Sequence, residues 1–278
     1  MTADFRADLH CHTTCSDGSL SPEELVMLAV QKGLKGLSIT DHDTIAAYSS
    51  AVQIAAREKI ELLPGVEFSS VQGSESVHIL AYGFSLKSQV ILEFCERHQE
   101  RRKERNRRIL AKLAKLGMVI EEQELKTFAS ETIGRPHIAS LMVKKGFVKD
   151  LREAFQSYLK EGGRGYDPGE PFSSEETVAL IHKGGGKAIL AHPHLIKRKK
   201  TVKALLTLPF DGLEGYYAHL SKDQEKKWVE IAKEKGWLIT GGSDYHGAIR
   251  PHVSLGSSWV CYETFHIFYT HYRHQSAL

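Results

Sequence analysis

Short apolar runs rich in Ile, Leu and Val alternate along this chain with longer stretches whose apolar residues recur at helical spacing. That alternation predicts an α/β protein built from βα units around a parallel sheet or barrel. The predicted strands cover residues 7–12, 36–40, 62–67, 77–82, 187–192, 212–217, 237–241 and 257–262. Ser21 stands ahead of Pro22, Glu23 and Glu24, so an N-cap, a first-turn proline and a capping-box acid predict a helix through about Lys32, which Gly33 ends. Residues 89–165 break the rhythm, because they read as consecutive helices with no strand between them. They are expected to form an inserted helical subdomain within a main domain made of residues 1–88 and 166–278.

A chain of 278 residues suits one barrel-sized domain carrying an insertion, and 41% hydrophobic with 26% charged residues is ordinary for a folded protein. Residues 1–8 lack the apolar core of a signal peptide or membrane span. The four cysteines, Cys11, Cys15, Cys95 and Cys261, do not make a disulfide framework. A cytoplasmic location and no membrane association are expected. The formal charge of +3 is too small to make the whole chain basic, but residues 97–115 carry Arg97, Arg101, Arg102, Lys103, Arg105, Arg107, Arg108, Lys112 and Lys115 against Glu100 and Glu104. Ile109, Leu113 and Leu116 form an apolar stripe there, so the basic residues are expected to cover the remaining helix surface as a solvated face. Steering of polyanions toward the site is the alternative. With no aromatics interleaved, the helix is not a base-stacking platform, and stable DNA binding is not expected.

Histidine changes the picture, since many of the fifteen lie beside Asp, Glu or another His. In Asp8-Leu9-His10-Cys11-His12 the two imidazoles fall on one side of an extended strand and Cys11 on the other. Asp17 sits in a Ser-Asp-Gly turn just after. The second predicted strand runs into Thr40-Asp41-His42-Asp43-Thr44, and the third ends at Glu67. His78 lies in an apolar frame where it needs a partner, a satisfied core histidine being the alternative. His192, Asp244 and His246 again stand just beyond strands. In barrels of parallel strands the active site lies at the C-terminal strand ends, so this recurrence predicts convergence. Nine such groups exceed the needs of one four-coordinate ion and predict two or three divalent ions, with manganese foremost and iron or zinc possible. The mixed imidazole and carboxylate set argues against calcium or a thiolate zinc site.

The motifs Asp8–His12 with Ser16–Gly18, Thr40–Thr44, Gly65–Glu67, His78, Ala191–Pro193 and Gly242–His246 occur in the order found in the polymerase and histidinol phosphatase (PHP) domain, and the chain resembles that family over most of its length. The resemblance implies a distorted (β/α)7 barrel, a trinuclear site and hydrolysis of phosphate esters by a metal-activated hydroxide. It also implies that His10, His12, Glu67 and Asp244 hold one ion, that Glu67 with His78 and His192 holds a second, and that Asp17, His42 and His246 hold the third. Gly134-Arg135-Pro136-His137 is similar to the branch that acts on 3′,5′-bisphosphate nucleotides and trims the 5′ ends of RNA. A phosphorylated nucleotide or short RNA is therefore the expected partner, with Arg135 and His137 binding substrate phosphate. An Arg135 that merely faces water at a helix start is the bland alternative. After Ala191-His192-Pro193 this chain has His194-Leu195 where many relatives carry Gly-Arg, so a phosphate-contacting arginine is expected to be missing, with His194 or residues 197–200 in its place. His194 and His219, each just past a predicted strand, are the candidates for the acid that protonates the leaving oxygen. A small-metabolite phosphatase of the histidinol phosphate kind and a non-catalytic metal- or nucleic-acid-binding module are the competing readings.

Overall fold

The computed structural model describes residues 4–128 and 132–276. Three two-residue strands, β1 (Ala7–Asp8), β2 (Gly36–Leu37) and β3 (Glu61–Leu62), pair in parallel in that order. A second sheet holds β4 (Gly65–Gln72), β5 (Glu75–Tyr82), β6 (Lys187–Leu190), β7 (Gly212–Tyr217) and β8 (Leu238–Gly242), also in chain order. Pairing is antiparallel for β4–β5 and β5–β6, and parallel for β6–β7 and β7–β8. The all-parallel sheet that the βα rhythm predicts is therefore corrected. Gln72 pairs with Glu75, leaving the two-residue loop Gly73-Ser74 with Gly73 at φ 65°, and a connection that short can only turn an antiparallel hairpin.

Strand lengths are corrected as well. The predicted strand 62–67 is split at Pro64, which has no N–H to give a ladder. The predicted strand 257–262 contributes one antiparallel bridge, Ala7 to Val260, before the chain turns into a helix. The described strands form two sheets, not one closed parallel ring. Backbone bonds pass between their edges, from Leu9 N–H to the Gly241 carbonyl (3.3 Å), Asp244 N–H to His10 (2.7 Å) and Asp43 N–H to Glu67 (3.0 Å).

Around the sheets lie α1 (Pro22–Gln31), α2 (Tyr48–Glu58), α3 (Gln89–Lys115), α4 (Glu122–Leu125), α5 (Arg135–Lys144), α6 (Leu151–Ala154) with a following π turn (Phe155–Leu159), α7 (Ser174–Lys183), α8 (Lys199–Leu205), α9 (Lys222–Lys235) and α10 (Tyr262–Gln275). The predicted start of α1 is present: Ser21 Oγ accepts from Glu24 N–H (3.2 Å) and the Glu24 carboxylate accepts from Ser21 N–H (2.8 Å), while Gly33 leaves the helix at φ 70°. Between β5 and α7 the described residues contain helices and no strand, as predicted. Those helices share an apolar cluster of their own, with Ile109, Leu113, Ile138, Leu141, Met142 and Leu159 buried together. A larger core joins β4–β7 to the start of α3, α7 and α9 through Phe68, Ile79, Phe94, Val178, Leu213 and Trp228. α3 is thus anchored in both clusters, and Arg102 in its basic middle bonds Asp43 and, in β4, Ser69.

Candidate metal centre

Glu67, the third residue of β4 and 1% exposed, is the point on which the other predicted residues converge. His10 and His12 follow β1 and face it together, with Nε2 atoms 3.3 and 3.2 Å from Glu67 Oε2. Cys11 points the other way, as the strand period requires, and its thiol donates to the Ser38 carbonyl (3.1 Å) inside an apolar cluster. His42 Nδ1 lies 3.1 Å from Glu67 Oε2, and both His78 Nδ1 and His192 Nε2 lie 2.9 Å from Oε1. Asp244 Oδ1 stands 3.4 Å from His10 and 3.2 Å from His12. Asp17 completes the group, 3.3 Å from His246 Nε2 and 3.8 Å from His42 Nε2. All nine predicted residues are therefore brought together.

Their donor atoms form three overlapping sets within 4.8 Å: His10, His12, Glu67 and Asp244; His12, Asp17, His42 and His246; and His42, Glu67 and His78. Buried polar atoms need partners, yet His10 Nε2, His12 Nε2, His42 Nδ1 and His246 Nε2 are shielded from solvent and make no hydrogen bond. They approach carboxylate oxygens without aligning on them, which is the arrangement expected of lone pairs directed at shared cations. Burial would raise the carboxyls of Glu67, Asp17 and Asp244, but the surrounding imidazoles outweigh it and hold all three well below the usual range. Ionised carboxylates beside imidazoles unmatched by hydrogen bonds fit divalent transition ions. Backbone strain gathers at the same place, with Asp43, His192 and Asp244 at φ 57°, 26° and 54°; left-handed non-glycine residues cost about 1–3 kcal/mol each and concentrate at functional sites.

A layer of carboxylates behind the cluster orients it. Glu214 Oε1 lies 2.9 Å from His10 Nδ1 and Oε2 accepts from His192 N–H (2.7 Å). Asp8 accepts from the backbone N–H of His10, Ser243 and Gly256 and from the Ser243 hydroxyl, and burial nonetheless pushes it up to about 6. Asp41 accepts from Thr13 N–H, Thr13 Oγ1 and Ser16 Oγ. Tyr217 donates to Asp244 Oδ2 (2.6 Å), and Arg250 pairs with the same oxygen. Asp43 takes Arg102, Ser69 N–H and the Ser69 hydroxyl. Burial alone would raise Asp43; Arg102 and His98 outweigh it and hold its carboxyl far below the usual range. Glu214 could have been suspected in the sequence as an acid inside an apolar strand. Tyr217, Arg250 and Arg102 carry no such mark, Arg102 being one basic residue among many on its helix.

The remaining predicted residues divide. Arg135, at the first turn of α5, lines a cleft of about 470 Å³ together with Asp17, His42 and His78. Its guanidinium donates to the Leu159 carbonyl (3.1 Å) and lies 5.5 Å from the centre of the Tyr166 ring. His137 is 8% exposed, and its Nδ1 accepts from Gly134 N–H (3.0 Å), so it closes the start of α5. His194 packs on the Tyr217 ring at 4.6 Å, and burial, with His192 adding to it, pushes it down to about 4. His219 is exposed and bonds the carbonyl of His252 (3.0 Å), not any of the nine. Of residues 197–200, Lys197 and Arg198 are tied to the β4–β5 hairpin, where Lys197 N–H donates to Glu75 (2.6 Å) and the Arg198 side chain to Ser74. The basic face of α3 is not wholly solvated as predicted: Arg102 is 8% exposed because Asp43 draws it inward.

The family model for the PHP domain matches residues 8–166. The 5′-3′ exoribonuclease Rnm of Escherichia coli is 33% identical over 259 residues, covering 90% of this chain and 87% of that protein. The 3′,5′-nucleoside bisphosphate phosphatase of Chromobacterium violaceum is 33% identical over 246 residues, covering 86% of each. Among solved structures, an amidohydrolase from Chromobacterium violaceum with bound sulfate superposes with a TM-score of 0.84 at 29% identity, over 95% of this chain and 96% of that one. A Bifidobacterium adolescentis protein gives a TM-score of 0.86 at 28% identity, over 98% of both chains. With that likeness spanning nearly the whole length and the converged cluster of metal-binding side chains, the chain belongs to the PHP domain family and is a metal-dependent phosphoesterase, a hydrolase of phosphoric ester bonds.

Proposed function

We propose that this enzyme hydrolyses phosphate esters of nucleotides, taking 3′,5′-bisphosphate nucleotides and the 5′ ends of short RNA. The observation that carries the reading is a single cleft in which ligands of the cluster (Asp17, His42 and His78) and the guanidinium of Arg135 stand side by side. A planar fork beside a cation site recognises a phosphate, and relatives named as an exoribonuclease and a nucleoside bisphosphate phosphatase support nucleotide substrates.

In this reading the nine side chains hold two or three ions, manganese foremost, divided as the resemblance implies. When bound, the ions supply an activated water and neutralise phosphoryl charge. Glu214 keeps the His10 ring turned so that Nε2 faces the cluster, and Tyr217 with Arg250 fixes the Asp244 carboxylate. Arg135 orients the phosphate, with His137 holding the start of its helix. His194 and His219 are the candidates to protonate the leaving oxygen; burial and His192 lower His194, so His194 would have to take up its proton as substrate binds. Residues 89–165 act as an insertion into a main domain of residues 1–88 and 166–278, whose two sheets we take as the wall of a distorted (β/α)7 barrel. A reducing cytoplasm suits four cysteines that form no disulfide.

The test is the rate of phosphate release from adenosine 3′,5′-bisphosphate and from histidinol phosphate with each candidate metal added. We expect kcat/KM to favour the nucleotide by about tenfold or more, roughly the discrimination that one satisfied polar group gives. A preference for histidinol phosphate would move the enzyme to the small-metabolite reading.

A further inference from the structure

Asp244, just beyond β8, divides its two carboxylate oxygens. Oδ1 lies 3.4 and 3.2 Å from His10 and His12, toward the cluster, while Oδ2 accepts from the Tyr217 hydroxyl (2.6 Å) and pairs with Nη1 of Arg250. Arg250 follows a short turn (Gly247–Ile249) that is tied to the loop carrying Asp17. There Ser19 N–H donates to the His246 carbonyl (3.2 Å) and Ser19 Oγ accepts from Ala248 N–H (2.8 Å). Gly247 stands at φ 64°, and a Cβ on it would collide with Ser19 Oγ, so the two loops close on each other only around a glycine. The Arg250 N–H then donates to the Gly247 carbonyl (3.1 Å), and the arginine is set in place by two segments that both carry ligands of the cluster.

Bracing Asp244 does not by itself account for an arginine at this point. Tyr217 already satisfies Oδ2, and a permanent positive charge beside a cluster suited to cations is repelled by them unless an anion shares the place. The guanidinium also has donors to spare. Nη1 alone is engaged; among the described residues Nε and Nη2 make no hydrogen bond, and the side chain is 40% exposed. It opens onto the cleft that Asp17, His42 and His78 also line. The other arginines of that cleft come from α3 and α5, whereas Arg250 comes from the ligand-bearing loops themselves. His194 and residues 197–200, the cations expected near the cluster from the sequence, do not line the cleft.

We propose that Arg250 is a catalytic residue that holds the phosphoryl group being cleaved, keeping Nη1 on Asp244 and giving its remaining donors to a nonbridging phosphate oxygen. A planar fork suits this double task, because donors on one side stay on the carboxylate while those on another serve the substrate. Its charge is offset only when a phosphate is present, and a donor already fixed in place costs no rearrangement as negative charge develops there. The role requires that the cluster hold ions, as the proposed function has it, but not a particular nucleotide, since it concerns the phosphoryl group common to every ester the site could take.

The test counts ions per chain and measures the Kd of inorganic phosphate by titration calorimetry in the manganese-loaded wild type, Arg250→Gln, Arg250→Lys and Tyr217→Phe, and follows kcat and KM on p-nitrophenyl phosphate. Tyr217→Phe removes the other bond to Asp244 Oδ2 from a side chain that does not line the cleft, so it measures bracing alone. We expect Arg250→Gln to keep the wild-type ion count, to raise the phosphate Kd about 10- to 100-fold and to lower kcat/KM by a similar factor. Arg250→Lys, which keeps the charge and loses the fork, should lie between, and loaded Tyr217→Phe should bind phosphate far more nearly as the wild type does. A phosphate Kd unchanged in Arg250→Gln, or raised equally in Tyr217→Phe, or restored in Arg250→Gln by saturating manganese, overturns the role and leaves the metal centre standing. A wild type that takes up no manganese overturns the metal centre itself, and it shows this before any variant is made.

Discussion

Each carboxylate oxygen of Glu67 is shared by two or three imidazoles, and His10 among them is also held from behind. His10 shows the dependence best, with Nε2 toward Glu67 and Asp244 and Nδ1 on Glu214. Glu214→Gln should keep the shape and lose the charge that fixes the ring, so affinity for the first ion should fall about 10- to 100-fold with folding retained, as metal titration followed by circular dichroism would show. An unchanged affinity would mean that Glu214 serves packing alone. The ligands themselves were legible in the sequence because a strand period of two places His10 and His12 on one side, and because His192, Asp244 and His246 follow apolar strands. The residues that position them were not, since Tyr217, Arg250 and Arg102 acquire meaning only when distant segments meet.

Secondary elements were read well in kind and less well in extent. The capping box of α1 and the run of helices after β5 follow from local chemistry that a sequence displays. The length of β1 and β2 does not, because the residues beyond Asp8 and Leu37 look like strand but leave the ladder to carry His10, His12 and His42 toward the cluster. An ion pair braces the connection of β6 to β7. Asp211, just before β7, accepts from Lys187 (2.8 Å) and from Ala188 N–H (2.9 Å), and lies 2.7 Å from His182 Nε2. Burial would raise its carboxyl; these partners outweigh it and lower it. A carboxylate whose pKa falls on folding favours the fold above its unfolded value of about 3.9, and that contribution vanishes as pH drops through the folded value. Asp211→Asn should therefore cost about 1–2 kcal/mol at pH 7 and nothing once the medium is acidic enough to protonate the wild type, as urea melts at several pH values would measure. A cost that persists in acid would assign the effect to shape, not charge.

For the molecule as a whole, the rhythm of βα units pointed to the right class and to convergence at strand ends, while the hairpin at Gly73 and the antiparallel β5–β6 pair lay beyond that rhythm. The cleft is where the two halves of the account meet, since the β-rich part supplies Asp17, His42 and His78 and the helices supply Arg101, Arg105 and Arg135. The central claim is that side chains far apart in the chain share cations around Glu67 and that phosphate release depends on them. The most direct measurement strips the purified protein with a chelator, returns manganese, and counts ions per chain while following phosphate release, in the wild type and in Glu67→Ala. The account predicts about two to three ions per chain, with activity lost on stripping and regained on loading, and fewer ions with little activity in the variant. Turnover that survives stripping, or a chain that takes up less than about one ion and stays inert, would contradict it.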